Sequence, residues 1–294
     1  MIIDAWMQHP NADWIGNPMF ESLRRWRPGK WSETAPPIED TLAEMDRAGV
    51  SVGMLCAWHG PGGPMISNDE VAQYCRAYPD RFIGIASVDL FRPMEAVREL
   101  RLRVKRDGFK GLRVLPWVWG LPPDDCRYYP LFAECCELDV PIMMQIGHCL
   151  DYQRDRILPS VGRPITLDRV AIDFPELKLI GIHLGWPWTD EMIAVCFKHA
   201  NVYMAGDAYA PKHWPAEYVR YVDSWGQDKC LFGTDWPVID PERAIHEIDQ
   251  LNLRSASRSK LLRENAMRVF RLEEHPETPH LATNNTLTAP TERP

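Results

Sequence analysis

Six places in the chain set a titratable or hydrogen-bonding side chain at or just beyond the end of a short apolar run, where a strand gives way to a loop. They are Asp4-Ala5-Trp6-Met7-Gln8-His9, Trp58-His59 with the following Gly60-Pro61-Gly62-Gly63, Arg113-Val114-Leu115-Pro116-Trp117, Gln145-Ile146-Gly147-His148, His183-Leu184-Gly185-Trp186-Pro187-Trp188 and Gly233-Thr234-Asp235-Trp236-Pro237. Asp235 is the first candidate for proton chemistry: a general base that activates water, or a donor and acceptor at a reacting carbon. A cap on the helix after it is its other reading. His183 is the partner candidate, with a structural imidazole bonded to a carbonyl as the alternative. Arg113 offers a planar fork for a substrate carboxylate, although a salt bridge to Asp89 explains it equally well.

Further candidates are weaker. His59 sits before a glycine-rich turn that needs no function to explain it, and His148 faces either the site or solvent. His9 needs an inserted residue to reach a pocket. Cys149 beside His148 is adjacent in sequence only, which does not orient a thiol for attack. Seven of the twelve tryptophans, Trp6, Trp58, Trp117, Trp119, Trp186, Trp188 and Trp236, fall at or just after predicted strand ends. Any one of them is explained by packing under a loop, but together they suggest an aromatic-walled pocket that stacks a ring.

The elements that must position these groups follow a regular rhythm. Candidate strands are Ile2–Ala5, Val52–Ala57, Phe82–Val88, Gly111–Leu115, Val140–Ile146, Leu177–His183, Val202–Ala205 and Cys230–Thr234, mostly continuous apolar runs of the kind buried on both faces. Amphipathic helices are predicted between them over Ile38–Ala48, Met94–Arg106, Leu131–Leu138, Leu167–Phe174, Met192–Lys198, Ala216–Ser224 and Ser257–Phe270. Two more begin near Asn68, behind a capping box of Ser67 and Glu70, and at Asp240-Pro241. Eight strand-helix units predict a closed (β/α)8 TIM barrel of class α/β over residues 1–272, with reactive groups at the C-terminal strand ends. A doubly wound sheet is the rival, but no GxGxxG turn follows the first run. Residues 8–37 predict a long first loop over the barrel mouth, and 273–294 a disordered tail rich in His, Pro, Thr and Asn.

Composition narrows the class. With 294 residues, 45% hydrophobic and 25% charged, the chain has ordinary globular proportions. A net charge of −8 without a basic block argues against nucleic acid. The eight cysteines form no CxxC pair and read as reduced thiols. No run approaches a membrane span and the N-terminus has no leader pattern, so a cytoplasmic location without membrane association is expected.

From Met1 to Phe270 the chain resembles the amidohydrolase superfamily, in the branch of aromatic and muconate decarboxylases and lactone hydrolases. The residues that carry this are Ile2-Ile3-Asp4, Gly181-Ile182-His183-Leu184-Gly185-Trp186-Pro187, Phe232-Gly233-Thr234-Asp235-Trp236-Pro237 and the closing Glu264-Asn265-Ala266-Met267-Arg268-Val269-Phe270. The resemblance implies metal ligands after the opening Asp, at the end of strand five, at His183 and at Asp235. Here Trp6 and Gln8 occupy the first two positions and Gln145 the third, with His148 three places on. An indole N–H donates only and an amide carbonyl is a poor zinc ligand. The expectation is therefore no cofactor, or one divalent metal such as zinc on His148, His183 and Asp235.

The resemblance implies hydrolysis or decarboxylation of a small carboxylated ring, or ring-derived compound, by an Asp235/His183 pair. Arg113, His59, Gln8, Gln145, Trp6, Trp117, Trp186 and Trp236 are the candidate substrate-binding residues. In the hydrolytic version Asp235 activates water and His183 stabilises the oxyanion or protonates the leaving group. In the decarboxylating version the pair protonates the ring carbon. A homo-oligomer is one expectation. The alternative is a catalytically reduced subunit paired with a metal-binding paralogue, as in an oxygenase.

Overall fold

Each apolar run becomes a parallel strand because both of its faces are covered, one by the barrel interior and the other by helices. The computed structural model describes residues 1–26 and 32–273. Ten strands form in chain order: β1 Ile2–Met7, β2 Val50–Cys56, β3 Trp58–Gly60, β4 Gly63–Ile66, β5 Phe82–Ile85, β6 Leu112–Val114, β7 Ile142–Gln145, β8 Leu179–Ile182, β9 Val202–Gly206 and β10 Cys230–Phe232. β1, β2 and β5 pair side by side, as do β6 to β10 in sequence order. Bridges Ala86↔Leu112 and Met7↔Trp236 join the two groups at both edges, closing an eight-stranded barrel. The predicted tail lies outside the described residues, apart from Glu273.

Several strands are shorter than predicted, and the local chemistry says why. The run Leu177–His183 stops at Ile182 because His183 and Leu184 turn into the left-handed region, with φ of 68° and 58°. Ile142 rather than Val140 opens β7, since Pro141 has no N–H for the ladder. The run Cys230–Thr234 stops at Phe232, and the Thr234 N–H and hydroxyl turn to Asp4.

The glycine-rich stretch after Trp58 is not a loose loop. It is the antiparallel hairpin β3–β4, with Gly60 opposite Gly63.

The helices form close to their predicted places. Helix Asn68–Ala77 is capped by the Ser67 hydroxyl, which accepts from Glu70 N at 3.1 Å. The reciprocal half of the capping box does not form, because the Glu70 carboxylate accepts instead from Asn11 Nδ2 at 3.0 Å. Asp240 caps Pro241–Gln250 as expected, accepting from Arg243 N at 3.0 Å. From the first loop come two short helices, Ala12–Gly16 and Glu21–Trp26, which carry Trp14 and Leu23 to the barrel mouth, with Phe20 just ahead of the second. No helix among the described residues is long and apolar enough to cross a membrane.

Candidate active site

Asp235 follows β10 at a φ of 54°, a conformation that costs a non-glycine residue about 1–3 kcal/mol and recurs where geometry serves function. The seam of the barrel holds it there. Its N–H donates to Trp6 O at 2.8 Å, and its Oδ1 accepts from Trp6 Nε1 at 2.8 Å and Gln8 Nε2 at 3.1 Å. Burial raises its pKa, while His183 and Arg113 pull it back and leave a net rise.

His183 follows β8 and is gripped by Asp207, which follows β9. Asp207 Oδ1 accepts from the His183 backbone N–H at 2.6 Å, and Oδ2 lies 2.8 Å from Nδ1. Main chain and ring are thus fixed together, and Nε2 lies 3.9 Å from Asp235 Oδ2, an ion-pair separation rather than a hydrogen bond. Burial lowers the imidazole pKa, but Asp207 and Asp235 outweigh it and the value ends above the usual one. Asp207 escaped the sequence reading, although it lies two residues beyond the predicted strand Val202–Ala205.

Arg113 on β6 is 2% exposed, its guanidinium lying 4.4 Å from the Trp6 ring centroid and 4.3 Å from that of Trp58. Such desolvated cation–π contacts are worth about 2 kcal/mol. They leave Nε and Nη1 without a hydrogen-bond partner. The salt bridge to Asp89 does not form; Asp89 lies 3.7 Å from Arg92 instead.

Asp235, His183 and Arg113 line one cavity with Gln8, Gln145, His148 and Asp151. Trp14, Phe20, Trp58 and Tyr209 supply its aromatic wall. That wall differs from the predicted one. Trp6 lies behind the site as a donor to Asp235, and Trp117 stands behind Gln145, donating to its Oε1 at 2.5 Å. Trp236 donates to Thr41 Oγ1 at 3.2 Å, and Trp186 is 38% exposed, outside the cavity lining. His59 is also elsewhere, stacked on Trp119 in a separate cleft with Asn68 and Asp89. His9 is buried against Thr41 and Tyr74. The Cys149 thiol is buried, which pushes its pKa up and away from nucleophilic use.

Asp151, in the loop after β7, also went unnoticed in the sequence, where nothing periodic marks it. Its Oδ1 is buried in the cavity wall without a partner. Burial raises its pKa to about 7, with the negative charge of Asp235 adding to the rise and His183 and Arg113 opposing it.

A family model described as Amidohydrolase matches residues 37–272. The chain belongs to this family. The expectation drawn from the residues around His183 and Asp235 is therefore correct, and so is the branch, since relatives in it are named decarboxylases. Gamma-resorcylate decarboxylase of Rhodococcus jostii is 27% identical over 256 residues, which cover 70% of this chain and 76% of that protein. An uncharacterised TIM-barrel protein of Bordetella bronchiseptica superposes with a TM-score of 0.78 at 26% identity, covering 92% of this chain and 98% of the other. A dihydroxybenzoic acid decarboxylase of Polaromonas, solved with bound manganese and the inhibitor 2-nitroresorcinol, has a TM-score of 0.71 at 18% identity over 93% and 98% of the two chains, a likeness of fold.

The residues present do not fit such an ion. Trp6 and Gln8 aim N–H groups at Asp235 Oδ1, which leaves only Oδ2 of this carboxylate to a cation. Asp207 holds His183 Nδ1 and leaves Nε2 to the cavity, but the cationic Arg113 shares that cavity and would repel an ion. His148 is exposed at the rim, its Nδ1 lying 2.8 Å from Ser160 Oγ. Among the described residues no three His, Cys, Asp or Glu side chains gather to hold a metal.

Proposed function

We propose that this amidohydrolase decarboxylates a small aromatic carboxylate without a resident metal. The observation that carries the reading is Arg113: a buried guanidinium with two unpartnered nitrogens, in the same cavity as Asp235 and His183. A buried cation left in this state calls for an anion, and a planar carboxylate matches its fork. The decarboxylase names of the relatives favour a ring acid, and Trp14, Phe20 and Trp58 offer faces on which to stack it.

In this reading Arg113 anchors the carboxylate and the Asp235/His183 pair delivers a proton to the ring carbon that bears it. The electron pair of the breaking carbon–carbon bond then restores the ring as carbon dioxide leaves. Asp207 holds the imidazole so that Nε2 faces the reacting carbon, and Trp6 and Gln8 fix Asp235.

The test is to incubate the purified chain with benzoates, hydroxybenzoates and aryl lactones and measure carbon dioxide and products. Release of carbon dioxide with formation of the decarboxylated arene supports the proposal. A product that keeps its carboxylate and has gained water supports the hydrolytic version instead. Inertness until a metal-binding paralogue is added supports the reduced-subunit alternative.

A further inference from the structure

Three side chains of the cavity wall leave buried polar atoms without partners: Gln8 through Oε1 and, from two other elements, Arg113 and Asp151. Arg113 on β6 leaves Nε and Nη1 free, while Asp151 in the loop after β7 leaves Oδ1 free. Neither meets the other, although both line the cavity. Leaving such atoms buried and unsatisfied is destabilising, most of all for charged ones, unless a ligand or proton meets them.

Asp151 is also held in place on both sides. Leu150 O accepts from Ser22 Oγ at 2.6 Å, and Tyr152 N donates to Met19 O at 3.1 Å, so the first loop clamps the chain around it.

We propose that Asp151, in its neutral form, and Arg113 hold the substrate carboxylate between them, so that substrate and one proton enter the cavity together. Asp151 donates its O–H to one carboxylate oxygen and Arg113 donates N–H groups to the carboxylate from its side. An ionised Asp151 in the same place would repel the ligand. The charged and titratable groups around it are Asp235 from β10, His183 from β8, Arg113 from β6, Tyr209 after β9, and His148 and Cys149 on its own loop. The first loop presents Phe20 and Leu23, which carry no charge. The surroundings bring the carboxyl to about 7, so one added negative charge from the ligand draws a proton onto it near neutrality.

The stoichiometry fits the proposed reaction, on which the inference rests for its carboxylate ligand. A carboxylate and one proton become a ring C–H and carbon dioxide: a π pair of the ring forms the C–H bond, and the pair of the broken carbon–carbon bond restores the ring. One proton is consumed, and one arrives.

Calorimetric titration of the full chain with benzoate, in buffers of different ionisation enthalpy at about pH 5.5 and about pH 8, tests this directly. The wild type is expected to take up close to one proton per benzoate at the higher pH and little at the lower. Asp151→Asn should bind benzoate without proton uptake at either pH, because its amide donates permanently. Asp151→Ala should weaken binding tenfold or more below neutrality, with an unchanged circular dichroism spectrum. Proton uptake that persists in Asp151→Asn belongs to His148 or His183 and overturns the proposal, as does undiminished affinity in Asp151→Ala or no benzoate binding by the wild type. Carbon dioxide release is scored separately. Asp151-dependent uptake in a protein that decarboxylates nothing keeps this inference and removes the proposed reaction, whereas turnover without such uptake does the reverse.

Discussion

Asp235 is surrounded by N–H donors on one oxygen and by His183 beyond the other, so the two oxygens have separate tasks. Asp235→Asn preserves the carbonyl that Trp6 and Gln8 address while removing the exchangeable acid. Its turnover should fall by about 10²-fold or more with the thermal midpoint nearly unchanged; comparable turnover in a folded variant would exclude Asp235 from proton transfer. Arg113→Met keeps the bulk between Trp6 and Trp58 but loses the fork. The Michaelis constant for carboxylated substrates should rise about tenfold or more, reflecting a charge-assisted hydrogen bond of about 1.5–3 kcal/mol, and the constant for neutral analogues should stay in place. An equal rise for both would show packing, not recognition. His183 was legible as a candidate from its strand end, but its orientation was not, because Asp207 acts from the neighbouring strand and strand adjacency is not written in the local sequence.

At the scale of elements the seam between β1 and β10 matters most. Asp4 accepts from Trp6 N at 3.2 Å, Thr234 N at 3.0 Å and Thr234 Oγ1 at 2.5 Å, tying the first strand to the last. Burial raises its pKa to about 7, against the hydrogen bonds from Thr234 and Trp6 that lower it. The sign of the linkage follows. The unfolded chain loses this proton near the ordinary value of 3.8 and the folded chain near 7, so the folded state binds more protons between them and stability falls as pH rises through that window. Asp4→Asn removes the titration, and thermal melts from about pH 4.5 to about pH 8 should show a shallower decline than the wild type; parallel curves would assign the decline elsewhere. The eight barrel strands were readable because burial on both faces leaves near-continuous apolar runs. The β3–β4 hairpin was not, since Gly60-Pro61-Gly62-Gly63 reads as a turn whether or not strands flank it.

For the molecule as a whole, the fold matches relatives solved with manganese while the side chains at the strand ends point to a different solution. In the cavity shared with Asp235 and His183, this barrel places a guanidinium between two indoles. Dialysis against a chelator should leave both turnover and thermal midpoint unchanged, with metal well below one equivalent by elemental analysis. Activity lost on chelation and restored by manganese would contradict that. The (β/α)8 architecture was legible from eight strand-helix units, and the family from runs such as Gly181–Pro187 and Phe232–Pro237. The pocket wall was less so: Trp14 and Phe20 reach it from a loop with no strand to index them, while Trp186 sits at a strand end yet faces outward.

Trp6 and Asp235 are separated by 229 positions along the chain, yet one hydrogen bond between them helps to shape the reactive carboxylate. A polypeptide emerging from the ribosome therefore carries the side-chain N–H groups of Trp6 and Gln8 for most of its synthesis without the carboxylate they address. Long-range closures of this kind come late and slowly. Chemical competence should thus appear abruptly, once the eighth barrel strand has been made and docked, and not accumulate piece by piece as the chain lengthens.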